Sequence, residues 1–325
     1  MPDKKMKVVI ILGKIFLLTI SLAFGNASYP EGPQGPDFAK RDEAMKVDLL
    51  KEGVDKYWNV EWRPVALCDF LAMMGQKMCN GELQSYTTDA VTQDSETSAI
   101  TIKATKLGSS INSGRINTNG KWHTGDSEST KKRGYLEVRA KYPAKSNGAW
   151  EFEGAWPAVW MLGTGAFGML GWPKNGEIDI MESSNGDPKI IMSLHSTNHN
   201  GGGAQHPNGN PVYPNADFSR DGAILGLEWN IQDNIGQIDI TWWISYFDLG
   251  SNSWRSGHYT KSLLRSYGAG NDYDVFYNSF INAKGFYAII NLAQGGMFPN
   301  CYSASCALLN GPQYVIVDSA KVYGM

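Results

Sequence analysis

Charge is scarce in this chain: only 19% of its 325 residues are Asp, Glu, Lys or Arg, with 29 basic and 32 acidic side chains. Without residues 1–27 the balance is 25 basic to 31 acidic, a net charge near −6, which argues against nucleic acid as a partner. Histidine is rare at 5 and cysteine at 4, and neither C-x-x-C nor H-E-x-x-H occurs, so the familiar zinc spacings are excluded. No segment beyond the N-terminus approaches membrane-spanning length, and there is no internal repeat or low-complexity tail.

The N-terminus reads as an export signal over residues 1–27. Lys4, Lys5 and Lys7 precede the apolar or small run Ile15–Gly25, and Gly25-Asn26-Ala27 supplies small residues for cleavage. A retained signal anchor is the rival reading, but Lys14 leaves the run short of a full span. The expectation is a secreted, extracellular chain, free of the membrane after cleavage. Four cysteines in such a chain suit disulfides. Three pairings are open, and proximity favours Cys68–Cys79 with Cys301–Cys306.

Glycine (36), tyrosine (15) and tryptophan (11) are abundant, a balance suited to short strands, many turns and an aromatic-lined cleft. Residues 28–45 are Pro/Gly-rich with few apolar side chains and read as a flexible lead-in. Residues 46–325 read as a single domain. Within it, Ala99–Thr105, Tyr135–Lys141, Ala155–Leu162, Ile224–Trp229, Gln237–Phe247, Gly285–Leu292 and Tyr314–Val322 alternate or run apolar between turn signals. Such a series predicts an all-β sandwich.

The most informative stretch is Gly176-Glu-Ile-Asp-Ile-Met-Glu-Ser183, with three carboxylates in six residues. On a strand Glu177 and Asp179 share a face, while Glu182 falls out of phase by one. A β-bulge at Ile180-Met181, with Met181 as the extra residue, returns Glu182 to that face. Three like charges side by side repel one another, which makes a poor solvated edge but a sensible acid/base set. Burying an unpaired charge is costly, so this face is expected to line an open cleft.

Two carboxyl groups flanking a glycosidic bond suffice to hydrolyse it, by retention when they are close and inversion when water fits between them. Their neighbours fit a sugar site: Trp156 and Trp160 share one strand face, and Trp172 lies five residues before Glu177. Negative charge on Glu177 and Asp179 raises the pKa of Glu182, as an acid catalyst requires.

The hexapeptide Glu177-Ile-Asp-Ile-Met-Glu182 resembles the active-site signature of glycoside hydrolase family 16, in the longer variant typical of laminarinase-like endo-β-1,3-glucanases. Further segments resemble the family in its order: Asn80-Gly-Glu-Leu-Gln-Ser-Tyr-Thr87, Ser113-Gly-Arg-Ile-Asn-Thr118, Gly134–Lys141, Trp156–Leu162, Phe286–Ala293 and Val315–Asp318. The resemblance implies a concanavalin-like β-jelly roll of two antiparallel sheets with a concave substrate cleft. It implies Glu177 as nucleophile, Asp179 as its helper and Glu182 as acid/base. Asn80 and Arg115 match polar positions that hold sugars, Trp160 and Trp172 match stacking tryptophans, and His195 matches a cleft histidine. No cofactor is implied for the chemistry. Asp318 matches a position that helps to hold a structural Ca²⁺ in relatives.

Several stretches depart from the pattern. Phe298 stands where the family often has Trp, 122–132 and 198–215 look inserted, and Thr241–Asp248 lacks the usual turn chemistry. The expectation is a monomeric, retaining endo-glycosidase acting on β-1,3-glucan. Its rivals are a mixed-linkage glucan or galactan (agar or carrageenan) hydrolase, a glucan transglycosylase, and a non-catalytic β-glucan-binding protein.

Overall fold

The computed structural model describes residues 27–65, 80–146, 151–165, 172–197, 211–265, 272–307 and 311–325. Most of the export signal, Cys68, Cys79 and residues 198–210 lie outside them.

Strands dominate. In chain order they are β1 (Met45–Asp48), β2 (Asn59–Val60), β3 (Gln84–Tyr86), β4 (Val91–Gln93), β5 (Ile100–Leu107), β6 (Ser110–Ser113), β7 (Arg115–Asn117) and β8 (Arg133–Lys141). There follow β9 (Ala155–Gly163), β10 (Glu177–Glu182), β11 (Ile191–His195), β12 (Ala223–Gln232), β13 (Gln237–Asp248), β14 (Ser253–Leu264), β15 (Phe286–Gln294) and β16 (Gln313–Gly324). Every segment expected from alternation forms a strand. Thr241–Asp248 lies inside β13, which explains its missing turn residues: the chain turns only at 249–252.

Two sheets result. One runs β14-β13-β12-β8-β16-β5-β6-β3, with β1 beside β16 and β4 beside β5. The other runs β11-β10-β9-β15-β7-β2. Pairing is antiparallel except for β3 with β6, which is parallel. The core is the space between the sheets. Ile178, Ile180, Met181, Val159, Met161, Ile290 and Leu292 face it from the six-stranded sheet, and Leu136, Val138, Leu225, Ile240, Trp242 and Val317 from the other. Truncating any one of these large side chains to Ala would cost about 2–5 kcal/mol. The period-two alternation then forces Glu177, Asp179, Trp156 and Trp160 onto the opposite, outer face of their strands.

Residues 28–45 are a correction. They are not a loose lead-in but a strap packed on the outer face of the ten-stranded sheet. Phe38 and Ala39 are buried there with Tyr135 and Tyr323. Tyr29 lies 5.5 Å from Trp254, Gln34 N–H donates to Glu137 at 2.7 Å, and Arg139 donates to the carbonyls of Pro30 and Gly32. Gly35 is needed for close approach: a Cβ there would fall 2.2 Å from the Tyr135 ring. The strap then enters β1, hydrogen-bonded along β16. Few apolar residues suffice because aromatic partners distant in sequence, Tyr135, Trp254 and Tyr323, pack against them.

Cys301 and Cys306 form a disulfide. The 122–132 stretch spans the ends of both sheets: Trp122 and Thr130 are buried, Thr124 N–H donates to the Phe286 carbonyl at 3.0 Å, and the Thr130 carbonyl accepts from Trp229 of β12 at 2.6 Å. Of 198–215 only the last five residues are described, with Tyr213 packed on Phe218 and Tyr246.

Candidate active site

Gly176, at φ +73, turns the chain into β10 in a conformation that favours glycine. Against β9, Glu177 pairs with Leu162 and Asp179 with Trp160, then Met181 with Val159 and Glu182 with Ala158. The bulge therefore falls at the expected step, but the residue left without a β9 partner is Ile180 rather than Met181. Both side chains stay buried in the core, and Glu182 returns to the outer face beside Glu177 and Asp179. The indole N–H of Trp242, on the opposite sheet, donates to the Asp179 carbonyl at 2.8 Å and fastens the backbone at the bulge.

Two rows of side chains cross the sheet from this strand. One reads Asp179, Trp160, Ile289, Asn117 and Asn59; the other reads Glu182, Ala158, Asn291 and Arg115. Around the carboxylates, His195 Nε2 lies 2.9 Å from Asp179 Oδ2 and 3.6 Å from Glu177 Oε1. Trp156 Nε1–H donates to Glu182 Oε1 at 2.9 Å. The Trp172 ring lies 6.0 Å from that of His195.

Burial pushes all three carboxyls up, and repulsion from Asp179 adds to it at Glu177 and Glu182. Glu177 is raised by burial and then by Asp179, with His195 opposing. Asp179 is raised to about 7 by burial, against a Ser193 hydrogen bond that lowers it. Glu182 is raised to about 8 by burial and the charge on Asp179, against the Trp156 donor. One pocket cannot hold three ionised carboxylates cheaply, so the set keeps a proton at neutral pH.

The structure thus brings together Glu177, Asp179, Glu182, His195, Trp156 and Trp172. It places others differently. Trp160 is 9% exposed: its N–H donates to Asn291 at 2.8 Å, and the Arg115 guanidinium lies 4.9 Å from its ring centre. It is cleft floor, with one face already covered, rather than an open stacking surface. Arg115 itself is 4% exposed and bound to Glu61 at 2.9 Å. Asn80 is exposed on a loop, with φ +46, and its carbonyl accepts the Met297 N–H at 2.8 Å.

The supports of the floor escape sequence reading. Glu61 accepts from both Arg115 Nε and Asn117 Nδ2. Glu82 binds Arg63 and the Tyr86 hydroxyl, which in turn accepts from Asn291. Asn291, a polar residue in the apolar strand Phe286–Ala293, carries a signal that could have exposed it. Glu61 carries none, since its importance comes from register.

The ligand atoms of Glu177, Asp179 and His195 lie within 4.8 Å of one another, the only such set of three among the described residues. His195 Nε2 and Asp179 Oδ2 are already spent on each other, however, in the hydrogen bond that links them. Asp318 meets the Tyr29 hydroxyl and Lys141. Its Oδ2 is buried with no hydrogen-bond partner among the described residues, an oxygen of the kind that calcium takes together with backbone carbonyls.

Residues 150–212, which span the strands carrying these groups, match a family model described as "XgeA-like, catalytic GH16 domain". The chain is 29% identical over 240 residues to a glucan endo-1,3-beta-glucosidase of Cryptopygus antarcticus, covering 68% of this chain and 73% of that one. It is 40% identical over 72 residues to a keratan-sulfate endo-1,4-beta-galactosidase of Sphingobacterium multivorum. That match covers 21% of this chain but only 15% of the relative. The crystal structure of an endo-1,3-beta-glucanase from Streptomyces sioyaensis superposes with a TM-score of 0.60 at 21% identity, over 92% of this chain and 99% of that one. At that identity the likeness speaks for the fold, a two-sheet jelly roll.

Proposed function

We infer that this chain, a glycoside hydrolase of family 16, is a retaining endo-glycosidase that cuts β-1,3-glucan. The observation that carries the reading is the bulge, which sets Glu177, Asp179 and Glu182 on one open face with their pKa values displaced upward.

On this reading Glu182, raised to about 8, holds the proton that the departing sugar oxygen takes. Glu177 attacks the anomeric carbon and forms a glycosyl–enzyme; Glu182, now a base, draws a proton from the water that releases it. Glu177 must be ionised to attack, although its surroundings raise its pKa. Asp179, at about 7, is placed to carry the compensating proton, and His195 Nε2 sits within reach of both. Trp156 orients Glu182 through its N–H donor. If a second sugar intercepts the glycosyl–enzyme instead of water, the same residues carry out transglycosylation.

The choice of β-1,3-glucan is supported by the bulged motif and by the name of the relative that matches over 240 residues. A galactan-cutting reading is favoured by one observation, the 40% identity to the galactosidase, but that match spans 72 residues. Export is supported by the Cys301–Cys306 disulfide, since such bonds persist in oxidising compartments.

The deciding experiment incubates the mature chain with laminarin, lichenan, agarose and carrageenan, following reducing ends and the anomer first released. Laminarin is expected to be cut fastest, with the β-anomer released first. Inactivity on all four would sink the reading, and an inverted first product would remove Glu177 as nucleophile.

A further inference from the structure

One lip of the cleft is built from two segments fastened to each other. Glu82 bridges Gly295, Met297 N–H donates to the Asn80 carbonyl, and Gly296 and Cys301 exchange backbone hydrogen bonds. On its other side Asn185 Nδ2 donates to the Pro299 carbonyl at 2.9 Å, while its Oδ1 accepts from Gly154 N–H at 2.8 Å. Phe298 sits between these anchors with its ring 5.1 Å from Trp156, the residue that holds Glu182. The lip is therefore continuous with the catalytic machinery.

On this lip the Cys301–Cys306 disulfide closes a short loop whose first inner residue is Tyr302. Tyr302 is 60% exposed. It lies against Gly81, where a Cβ would come 3.7 Å from ring atoms, and its backbone is held by the disulfide at one flank. Gly81 follows Asn80, the polar position on the same loop. An exposed aromatic face on a covalently closed loop offers a flat apolar surface whose ordering cost on binding is already low.

We propose that Tyr302, presented by the Cys301–Cys306 loop, is an outer stacking platform for a pyranose ring of the bound polysaccharide, away from the cleaved bond. This rests on the reading of the chain as a glucan hydrolase. It assigns the disulfide a role in substrate recognition in addition to closing the loop.

The test compares Tyr302→Ala, Tyr302→Phe and a Cys301→Ser/Cys306→Ser double variant of the full chain on laminarin and on a nitrophenyl trisaccharide. The ratio of kcat/KM on polymer to that on trisaccharide should fall about threefold to tenfold in Tyr302→Ala, carried by KM. Tyr302→Phe should restore it, because the ring face is kept. The double variant should show a smaller fall in the same ratio. An unchanged ratio in Tyr302→Ala, or no rescue by Phe, overturns the proposal; so does a larger loss in the double variant than in Tyr302→Ala. Retention on insoluble β-glucan separates this from the functional reading. A wild-type chain that binds but does not cut, and loses binding in Tyr302→Ala, keeps the platform and discards the hydrolase; one that neither binds nor cuts discards both.

Discussion

The two sheets of this sandwich each carry glutamate shielded from solvent on their outer face, fully buried on one and half-buried on the other, and they treat it in opposite ways. On the ten-stranded sheet Glu137 is 1% exposed and fully provided for. Arg139 donates to one of its oxygens through Nε and Nη2 at 3.0 and 2.9 Å, and Gln34 N–H and the Tyr135 hydroxyl donate to the other. On the six-stranded sheet Glu177, Asp179 and Glu182 crowd together around a single histidine, His195, with the neutral Trp156 N–H donating to Glu182. A carboxylate buried with its cation is structure. Carboxylates buried with one another are held in an unfavourable charge state, and catalysis can draw on it.

Five substitutions test that contrast. Glu177→Gln and Glu182→Gln should each reduce kcat on β-glucan by at least about a thousandfold while retention on insoluble glucan persists. Near-full activity in either variant would remove its assigned role. The same kind of substitution on the other sheet should act on stability. Glu137→Gln leaves Arg139 buried beside an uncharged amide and should cost about 3 kcal/mol in chemical denaturation, with little change in kcat once folded.

A smaller effect of opposite sign is expected at the active site. A carboxyl whose folded pKa is raised binds its proton more tightly when folded. Its ionisation therefore opposes folding as pH climbs above the ordinary carboxylate value, and that penalty vanishes below it. Glu182→Gln should thus stabilise the chain by about 1–3 kcal/mol at pH 8 and by nothing at pH 4, read from denaturation midpoints at both pH values. The smallest effects concern the alkaline limb of kcat/KM, expected near 8 from Glu182. Asp179→Asn removes a charge that raises Glu182 and should move the limb down by about one unit. Trp156→Phe removes a donor that favours ionised Glu182 and should move it up by about half a unit. Shifts in the reverse directions would show that another group controls the limb.

How much of this was legible in the sequence follows from the range of the interactions. Glu177, Asp179 and Glu182 are readable because a strand's period and one inserted residue are local facts. Alternation likewise exposes β8, β9 and β15. Trp160 is misjudged as an open platform because Arg115 covers its face and Asn291 takes its N–H, and both arrive on other strands. The strap of residues 28–45 is misjudged for a related reason. Its own composition is Pro/Gly-rich, while Tyr135, Glu137, Arg139 and Trp254, which hold it down, lie more than 90 residues away. Glu61 could not be found at all without knowing that its side chain meets Arg115 and Asn117.

The hydrogen bond from Trp242 to the Asp179 carbonyl has a reach beyond its own neighbourhood. In the proposed mechanism the gap between Glu177 and Glu182 governs whether a water fits between sugar and carboxylate, and thus the stereochemical course. That gap is spanned by a bulge whose backbone is held by an indole rooted in the other sheet. On the proposed mechanism, Trp242, buried in the core, therefore helps to set the handedness of the first product.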